Sequence, residues 1–262
     1  MQSNIKKISF IGSGNVATHL AKAFSKKGII VKQIYSQTCD NSEVLAWQSN
    51  SIYTCDLNEL DMDVDLFIFA VKDEVIKELS ASILQKNPRA KVVHTSGSVG
   101  LDVFNNALYA GIFYPLQSFS KTKRIEISEV PFLITSDNQE FKNELKDLAK
   151  LLSDKVYEYT DEQRKHLHIA AVFVNNFSNH LFALAQDYCE KHQIDYQLLM
   201  PLIHETITKI DTILPKQAQT GPAIRKDNEI IEKHLTLLNS KDEHLFQIYH
   251  LLTDSILRMY RS

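Results

Sequence analysis

Apolar positions follow two rhythms along this chain. Over residues 1–160, short apolar runs alternate with stretches of helical spacing; beyond Thr160 only helical spacing remains. Strands are predicted at residues 5–11, 29–36 and 51–55, with helices at 15–27 and 43–50 between them. Val16, Leu20, Ala23 and Phe24 share one face of the first helix, and Gly28 stands where its C-cap is expected. Residues 65–71 (DLFIFAV) form a near-continuous apolar run, as a strand buried on both faces of a parallel sheet should. A helix over 74–85 and a strand over 91–95 continue the pattern. Further strands are expected at 111–116, 131–135 and 156–159, with a helix at 140–152.

After Thr160 one long helix is predicted over 161–192, with Ala170, Val174, Phe177, Leu181 and Leu184 at helical spacing. More helices follow near 196–213, 228–238 and 241–260. The expected fold is an α/β Rossmann domain with a mostly parallel, doubly wound sheet (residues 1–160), followed by an all-α domain (residues 161–262) for substrate binding and dimerisation.

Gly12-Ser13-Gly14-Asn15-Val16-Ala17 matches the dinucleotide fingerprint G-x-G-x-x-[GA]. Gly12 makes the tight turn out of the first strand, Gly14 lets a pyrophosphate approach the backbone, and Ala17 lets the helix pack closely on the sheet. The free N–H groups at the helix start then face the phosphate charge. The match follows a strand, opens a helix and precedes a second strand, the context that gives it weight. At the end of the second strand an NAD site carries Asp or Glu for the ribose hydroxyls. Here Tyr35-Ser36-Gln37-Thr38 is neutral, and no acid occurs until Asp40. Hydroxyl and amide groups accept a 2′-phosphate that a carboxylate would repel, so the expected cofactor is NADP, with NAD second.

Composition narrows the classes. A hydrophobic fraction of 44% suits a globular core, and a net charge of −3 gives no reason to expect nucleic acid or an anionic membrane as partner. Lys121, Lys123 and Arg124 are the nearest thing to a basic patch, and so short a cluster reads as a solvated loop. Cys39, Cys55 and Cys189 match no metal-ligand spacing, and an odd, sparse set fits a reducing cytosol better than a disulfide framework. With a strand starting almost at the N-terminus and no long apolar run, the expectation is a cytoplasmic protein without a signal peptide or membrane span.

With these segments in place, the chain resembles the superfamily of pyrroline-5-carboxylate reductases, deazaflavin-dependent NADP oxidoreductases, 3-hydroxyacid dehydrogenases and 6-phosphogluconate dehydrogenases. The fingerprint, the strand followed by Ala70-Val71-Lys72-Asp73, and the all-helical second half carry that resemblance. It implies that Ala70, Val71 and Lys72 pass beside the cofactor's ribose and nicotinamide. The chain is more closely similar to a bacterial family of Rossmann-like two-domain proteins whose helical domain has no known function. Residues 114–120 (YPLQSFS), 168–176 (HIAAVFVNN) and 220–227 (TGPAIRKD) carry that likeness. Hydroxyacid dehydrogenases place a catalytic lysine four residues before the second Asn of an Asn-Asn pair. Aligning that pair with Asn175-Asn176 puts Val172 at the lysine position. Valine transfers no proton, so that mechanism is unavailable from this position, whereas reduction of a C=N bond stays open.

Substrate groups are expected from loops at the carboxyl ends of the strands and from the helical half. Ser96, in Thr95-Ser96-Gly97-Ser98, is a hydrogen-bonding candidate for the substrate or the carboxamide, against an ordinary turn. Gln117 and Ser118 end the next strand, where Pro115 fixes the backbone. His168 is the candidate acid or base by residue type. Asn176, close to two helical turns on, is expected to share its face, while Asn175 is turned about 100° away and is assigned to packing. Arg225 is a candidate for a substrate carboxylate or phosphate, or else a partner for Asp227. His94 is expected to be buried in its strand. No histidine pair makes a metal site, so no metal is expected.

The leading expectation is an NADP-dependent oxidoreductase transferring hydride to or from a small polar imine, ketone or hydroxy acid. The rival is a non-catalytic dinucleotide-binding sensor, which Val172 favours. The apolar content of the helical half, together with the resemblance, predicts a homodimer formed through it.

Overall fold

The computed structural model describes residues 3–105, 107–239 and 242–260. The outer limits of the two expected domains, and Lys241 as the start of the last helix, lie outside the described residues. Two compact units divide between Asn175 and Asn176.

The first unit is an eight-stranded sheet in the order β3-β2-β1-β4-β5-β6-β7-β8. Its strands are β1 (Lys7–Ile11), β2 (Ile30–Tyr35), β3 (Ile52–Thr54), β4 (Leu66–Phe69), β5 (Val92–His94), β6 (Ala110–Pro115), β7 (Phe132–Thr135) and β8 (Val156–Glu158). All neighbours pair in parallel except β6 and β7. The helices are α1 (Asn15–Lys26), α2 (Cys39–Ser49), α3 (Asp73–Lys86), α4 (Gln139–Lys150) and α5 (Asp161–Ala171).

Alternation along the strands divides the core between the sheet's two faces. Ile8 and Phe10 of β1 and Ile68 of β4 pack in the cluster of α1 and α4, with Leu20, Phe24, Phe141 and Leu145. Ile11, Phe67 and Phe69 point the other way, into the cluster of Ile76, Leu79 and Ile83 from α3. All four residues of β4 are buried, which explains its unbroken apolar sequence. Burying a side chain such as Phe24 stabilises the fold by about 2–3 kcal/mol. Strand order reverses between β1 and β4, and the crevice at their carboxyl ends is where doubly wound sheets bind ligands.

The rhythm does change at Thr160, because Thr160 and Gln163 form a reciprocal capping box that starts α5. The predicted long helix is interrupted: α5 runs into a π-helical turn, Val172–Phe177, before α6 (Ser178–Lys191). Amphipathic spacing does not reveal a π turn, which adds a residue without breaking the helical run.

A second difference concerns cysteine. Cys39 and Cys55 are joined in a disulfide, against the expectation of free thiols. Parallel pairing of β2 with β3 brings the two residues, 16 positions apart in sequence, to a Cα separation of 5.3 Å. The bridge ties the first residue of α2 to the end of β3. Cys189 is a free, buried thiol.

The second unit contains α6, α7 (Met200–Lys209), the single turn α8 (Pro215–Ala218), α9 (Asn228–Asn239) and α10 (Glu243–Met259). Among its described residues the buried apolar side chains are Cys189, Ala223, Ile231 and Leu238, a thin core for this many helices. No described helix is long and apolar enough to cross a membrane.

The fingerprint glycines differ in what they require. Gly12 has φ +115°, and a Cβ there would lie 2.3 Å from the Ala70 carbonyl oxygen. At Gly14 the nearest atom to such a Cβ is 3.9 Å away. We therefore expect Gly12→Ala to lose about 2 kcal/mol or more in urea unfolding, while Gly14→Ala unfolds like the parent. Equal losses at both positions would contradict this division.

Candidate functional site

Four loops meet at the carboxyl ends of β1, β4, β5 and β6 around a cavity of about 330 Å³. Gly14, Asn15 and Val16 come from the fingerprint turn, and Ala70, Val71 and Asp73 from the end of β4. Thr95 to Ser98 follow β5, Tyr114, Pro115 and Gln117 end β6, and His168 reaches in from α5. Every one of these residues belongs to the first unit.

The turn after β1 is fixed from two sides. Gly12 N–H donates to the Tyr35 carbonyl at 2.8 Å, and Ala70 N–H donates to the Ile11 carbonyl at 2.8 Å. Helix α1 then starts at Gly14 with no side chain capping its first N–H groups and no acid in its first turn. Those donors and the helix dipole suit a pyrophosphate. The fold itself leaves the space beside the Gly14 Cα free, so the missing Cβ there fits a ligand's approach rather than an internal contact. Ser13 is buried in the same turn.

At the far end of the crevice Ser36 N–H donates to the Thr54 carbonyl at 3.2 Å, and Gln37 and Thr38 are exposed. Thr38 is the N-cap of α2, yet its hydroxyl makes no cap bond, so it is free to meet a phosphate. The disulfide at Cys39 anchors the end of this loop. Lys72, the N-cap of α3, is exposed and stands outside the group lining the cavity.

The polar group opposite the fingerprint is built on Tyr114 and His168. The Tyr114 hydroxyl and His168 Nδ1 are 3.0 Å apart, and the two rings meet edge to face at 5.9 Å. Gly97 closes the other side: a Cβ on it would lie 2.3 Å from His168 Nδ1. Burial pushes the Tyr114 phenol above its usual range, partly offset by the charge of Arg164.

Arg164 sets this arrangement. It is completely buried on α5, one turn before His168. Its guanidinium donates to the Ser96 carbonyl at 3.0 Å, the Val99 carbonyl at 2.5 Å and Asp161 Oδ1 at 2.7 Å. Burial by itself would raise the Asp161 carboxyl, but its bond to Arg164 and the charges of Arg164 and Lys165 hold it below the usual range. Ser96 completes the loop: its hydroxyl accepts from the N–H groups of Ser98 and Val99, each at 3.1 Å. That ordinary turn role coexists with its position on the cavity wall.

Gln117 is exposed on the wall, its Oε1 accepting from Ser118 N–H at 2.8 Å. Asn176 and Arg225 belong to the second unit and are not in the lining group. Asn176 is exposed in the π turn, and Arg225 is exposed in the turn before α9. Asp227 accepts from Ile230 N–H at 3.3 Å, a helix-start contact. Tyr114, Gly97 and Arg164 were not singled out from sequence. Only Arg164 left a usable signal, a charged residue on the helix face that includes His168.

His94 ends β5 with no exposure, as its strand position predicts. Burial, then the charge of Arg164, pushes its imidazole down to about 4. Between roughly pH 6.5 and that value the unfolded chain holds a proton that the folded chain does not, so stability falls as pH falls through this window. The expected loss is roughly 3 kcal/mol over the window, read from urea unfolding at stepped pH. His94→Gln should flatten the slope; an unchanged slope would place the acid sensitivity elsewhere.

Two family models match the chain. One, NADP oxidoreductase, coenzyme F420-dependent, covers residues 7–95; the other, a domain of unknown function (DUF2520), covers residues 130–256. Among solved structures, BF3122 of Bacteroides fragilis, named as a candidate NADP oxidoreductase, is 40% identical with a TM-score of 0.91, over 97% of this chain and 98% of that one. Protein TM1727 of Thermotoga maritima is 20% identical with a TM-score of 0.73, over 97% and 98%. The NADP-bound pyrroline carboxylate reductase of Plasmodium falciparum is 14% identical with a TM-score of 0.61, over 99% and 100%, and shares the fold. A search of the curated proteins found no match. The fingerprint crevice, the helical second unit and the full-length likeness to the Bacteroides protein together show that this chain belongs to the two-domain family joining an NADP oxidoreductase-type Rossmann domain to a DUF2520 domain.

Proposed function

We propose that this protein is an NADP-dependent oxidoreductase that transfers hydride between the cofactor and a small polar substrate with a C=N or C=O bond. The observation that carries the reading is one cavity lined by both the fingerprint turn and the Tyr114–His168 pair. Gly12 shapes the turn, while Gly14, Asn15 and Val16 present backbone N–H groups to the pyrophosphate. Ser36, Gln37 and Thr38 receive the 2′-phosphate, and Ala70, Val71 and Ser96 border the ribose and nicotinamide. The nicotinamide, when bound, supplies or accepts the hydride.

The remaining chemistry is a proton. Burial raises the Tyr114 phenol, so it keeps its hydrogen, and in this reading its oxygen accepts from His168 Nδ1–H. That leaves Nε2 as the nitrogen that carries the transferable proton. His168 is then the acid in reduction and the base in the reverse direction, and Tyr114 positions its ring. Gln117 is placed to orient the substrate. Val172 rules out the lysine chemistry of hydroxyacid dehydrogenases from its position, so an imine is the preferred substrate class.

Fluorescence titration should give tighter binding of NADPH than of NADH, with Gly14→Ala weakening NADPH. Against a panel of imines, ketones and hydroxy acids, His168→Asn should lower kcat by about 100-fold or more. Tyr114→Phe should shift the pH profile of kcat with NADPH affinity unchanged. Tighter NADH binding overturns the cofactor; saturable binding without any turnover turns the reading to a sensor.

The second unit supports a homodimer. Leu198, Leu202, Leu214, Leu251 and Met259 are each at least 60% exposed on its helices and turns, more apolar surface than a monomer ordinarily leaves in water. Sedimentation equilibrium at micromolar concentration should give twice the chain mass. Leu202→Glu with Leu251→Glu should shift it toward monomer; a monomeric parent protein defeats the proposal.

A further inference from the structure

The three-residue basic cluster at Lys121, Lys123 and Arg124 does not stand alone in three dimensions. The loop that carries it lies along the C-terminal half of α1. His19 of α1 bonds through Nε2 to the Ser120 carbonyl at 2.8 Å, and its ring meets Phe119 at 5.2 Å. This pinning puts Lys121, Lys123 and Arg124 around the same cavity as Lys22 and Lys26 of α1 and its C-cap Lys27. The cavity has a volume of about 690 Å³ and shares no lining residue with the fingerprint cavity.

Six cations therefore surround one concavity on a chain of net charge −3. Glu126 is the one carboxylate in the lining, and its Oε1 accepts the Ser128 hydroxyl at 3.2 Å. Elsewhere lysines commonly find acids: Lys7 pairs with Asp63, Lys32 with Asp61, Lys91 with Glu144 and Lys155 with Glu129. Among the described residues no ion pair engages any of the six.

Complementing the C-terminal dipole of α1 accounts for Lys26 and Lys27. It does not account for three more cations on the facing loop, where like charges repel. The floor is firm as well: Ala23, Ile125 and Ile127 pack against the core cluster that contains Phe24 and Phe132. Charges gathered around a concavity with a packed apolar floor focus the field there. Lysine and arginine together are donors suited to phosphate oxygens.

We propose that this basic cavity is a second ligand site that binds a small molecule bearing two or more linked phosphate groups. It is separate from the dinucleotide crevice and does not depend on the NADP reading. A compact polyanion replaces cation–cation repulsion across the cavity by attraction to both walls at once. A single phosphate reaches fewer of the charges and binds more weakly.

The test is isothermal titration of the full chain with tripolyphosphate and with inorganic phosphate, with and without saturating NADPH. The expected result is one saturable tripolyphosphate site per chain that persists with NADPH present, at least about tenfold tighter than phosphate and weakening as salt rises. Lys26→Gln/Lys123→Gln/Arg124→Gln should weaken it by about tenfold or more without changing Tm, while Gly14→Ala leaves it intact. The proposal is overturned by no saturable heat, by equal affinity in the triple variant, or by loss of the site when NADPH is bound. Tighter binding of duplex DNA than of tripolyphosphate under the same conditions also overturns it. If NADPH itself fails to bind, the two sets of variants still decide the question, because they separate the basic cavity from the fingerprint turn.

Discussion

A guanidinium with no exposure to water joins the two parts of the crevice. Arg164 spans Ser96, Val99 and Asp161, so one side chain fixes the loop after β5 and the start of α5 together. Burying a charge is costly unless it is paired and hydrogen-bonded, and here two carbonyls and a carboxylate meet the two terminal nitrogens while Nε is left without a partner. The consequences run outward from this contact. Gly97 is held so close to His168 that a side chain there would displace the imidazole, and His168 is held within a hydrogen bond of Tyr114. The charge of Arg164 also helps keep His94 neutral behind the same loop.

The crevice itself follows from sheet topology. Strand order turns back between β1 and β4, so the loops after these strands diverge and leave a gap at their carboxyl ends. Gly12 is required there by backbone crowding against Ala70, whereas Gly14 is not. A glycine with nothing beside it, at the uncapped start of a helix, makes sense when something else approaches. Neutral side chains at Ser36 to Thr38 and the uncapped Thr38 hydroxyl extend the same logic to the far end.

The two units are stabilised in different ways. The sheet buries apolar side chains on both faces, while the helical unit leaves much of its apolar surface exposed. Polar chemistry in the first unit is also concentrated at one end of the sheet. The basic cavity beside α1 is the exception, built by a long loop folded back onto a helix rather than by strand ends.

What the sequence determined by itself is what local periodicity and steric rules can encode. The alternation of apolar runs and helical faces located every strand of the sheet and the change of rhythm after Thr160. The fingerprint turn was legible because Gly12 answers to backbone geometry and Gly14 to a ligand's approach, two steric demands at a fixed spacing. His168 was legible as a candidate by residue type, but its partners were not. Tyr114 and His168 are 54 residues apart, and Arg164 and Ser96 are 68 apart. The Cys39–Cys55 bridge was misread for a related reason, since parallel pairing of two strands, not cysteine count, brings the sulfurs together. The basic cluster looked too small because half of its charges sit on a helix and its C-cap about a hundred residues earlier, a distance that only packing removes. Contacts between distant segments depend on how layers stack, and no local pattern carries that information.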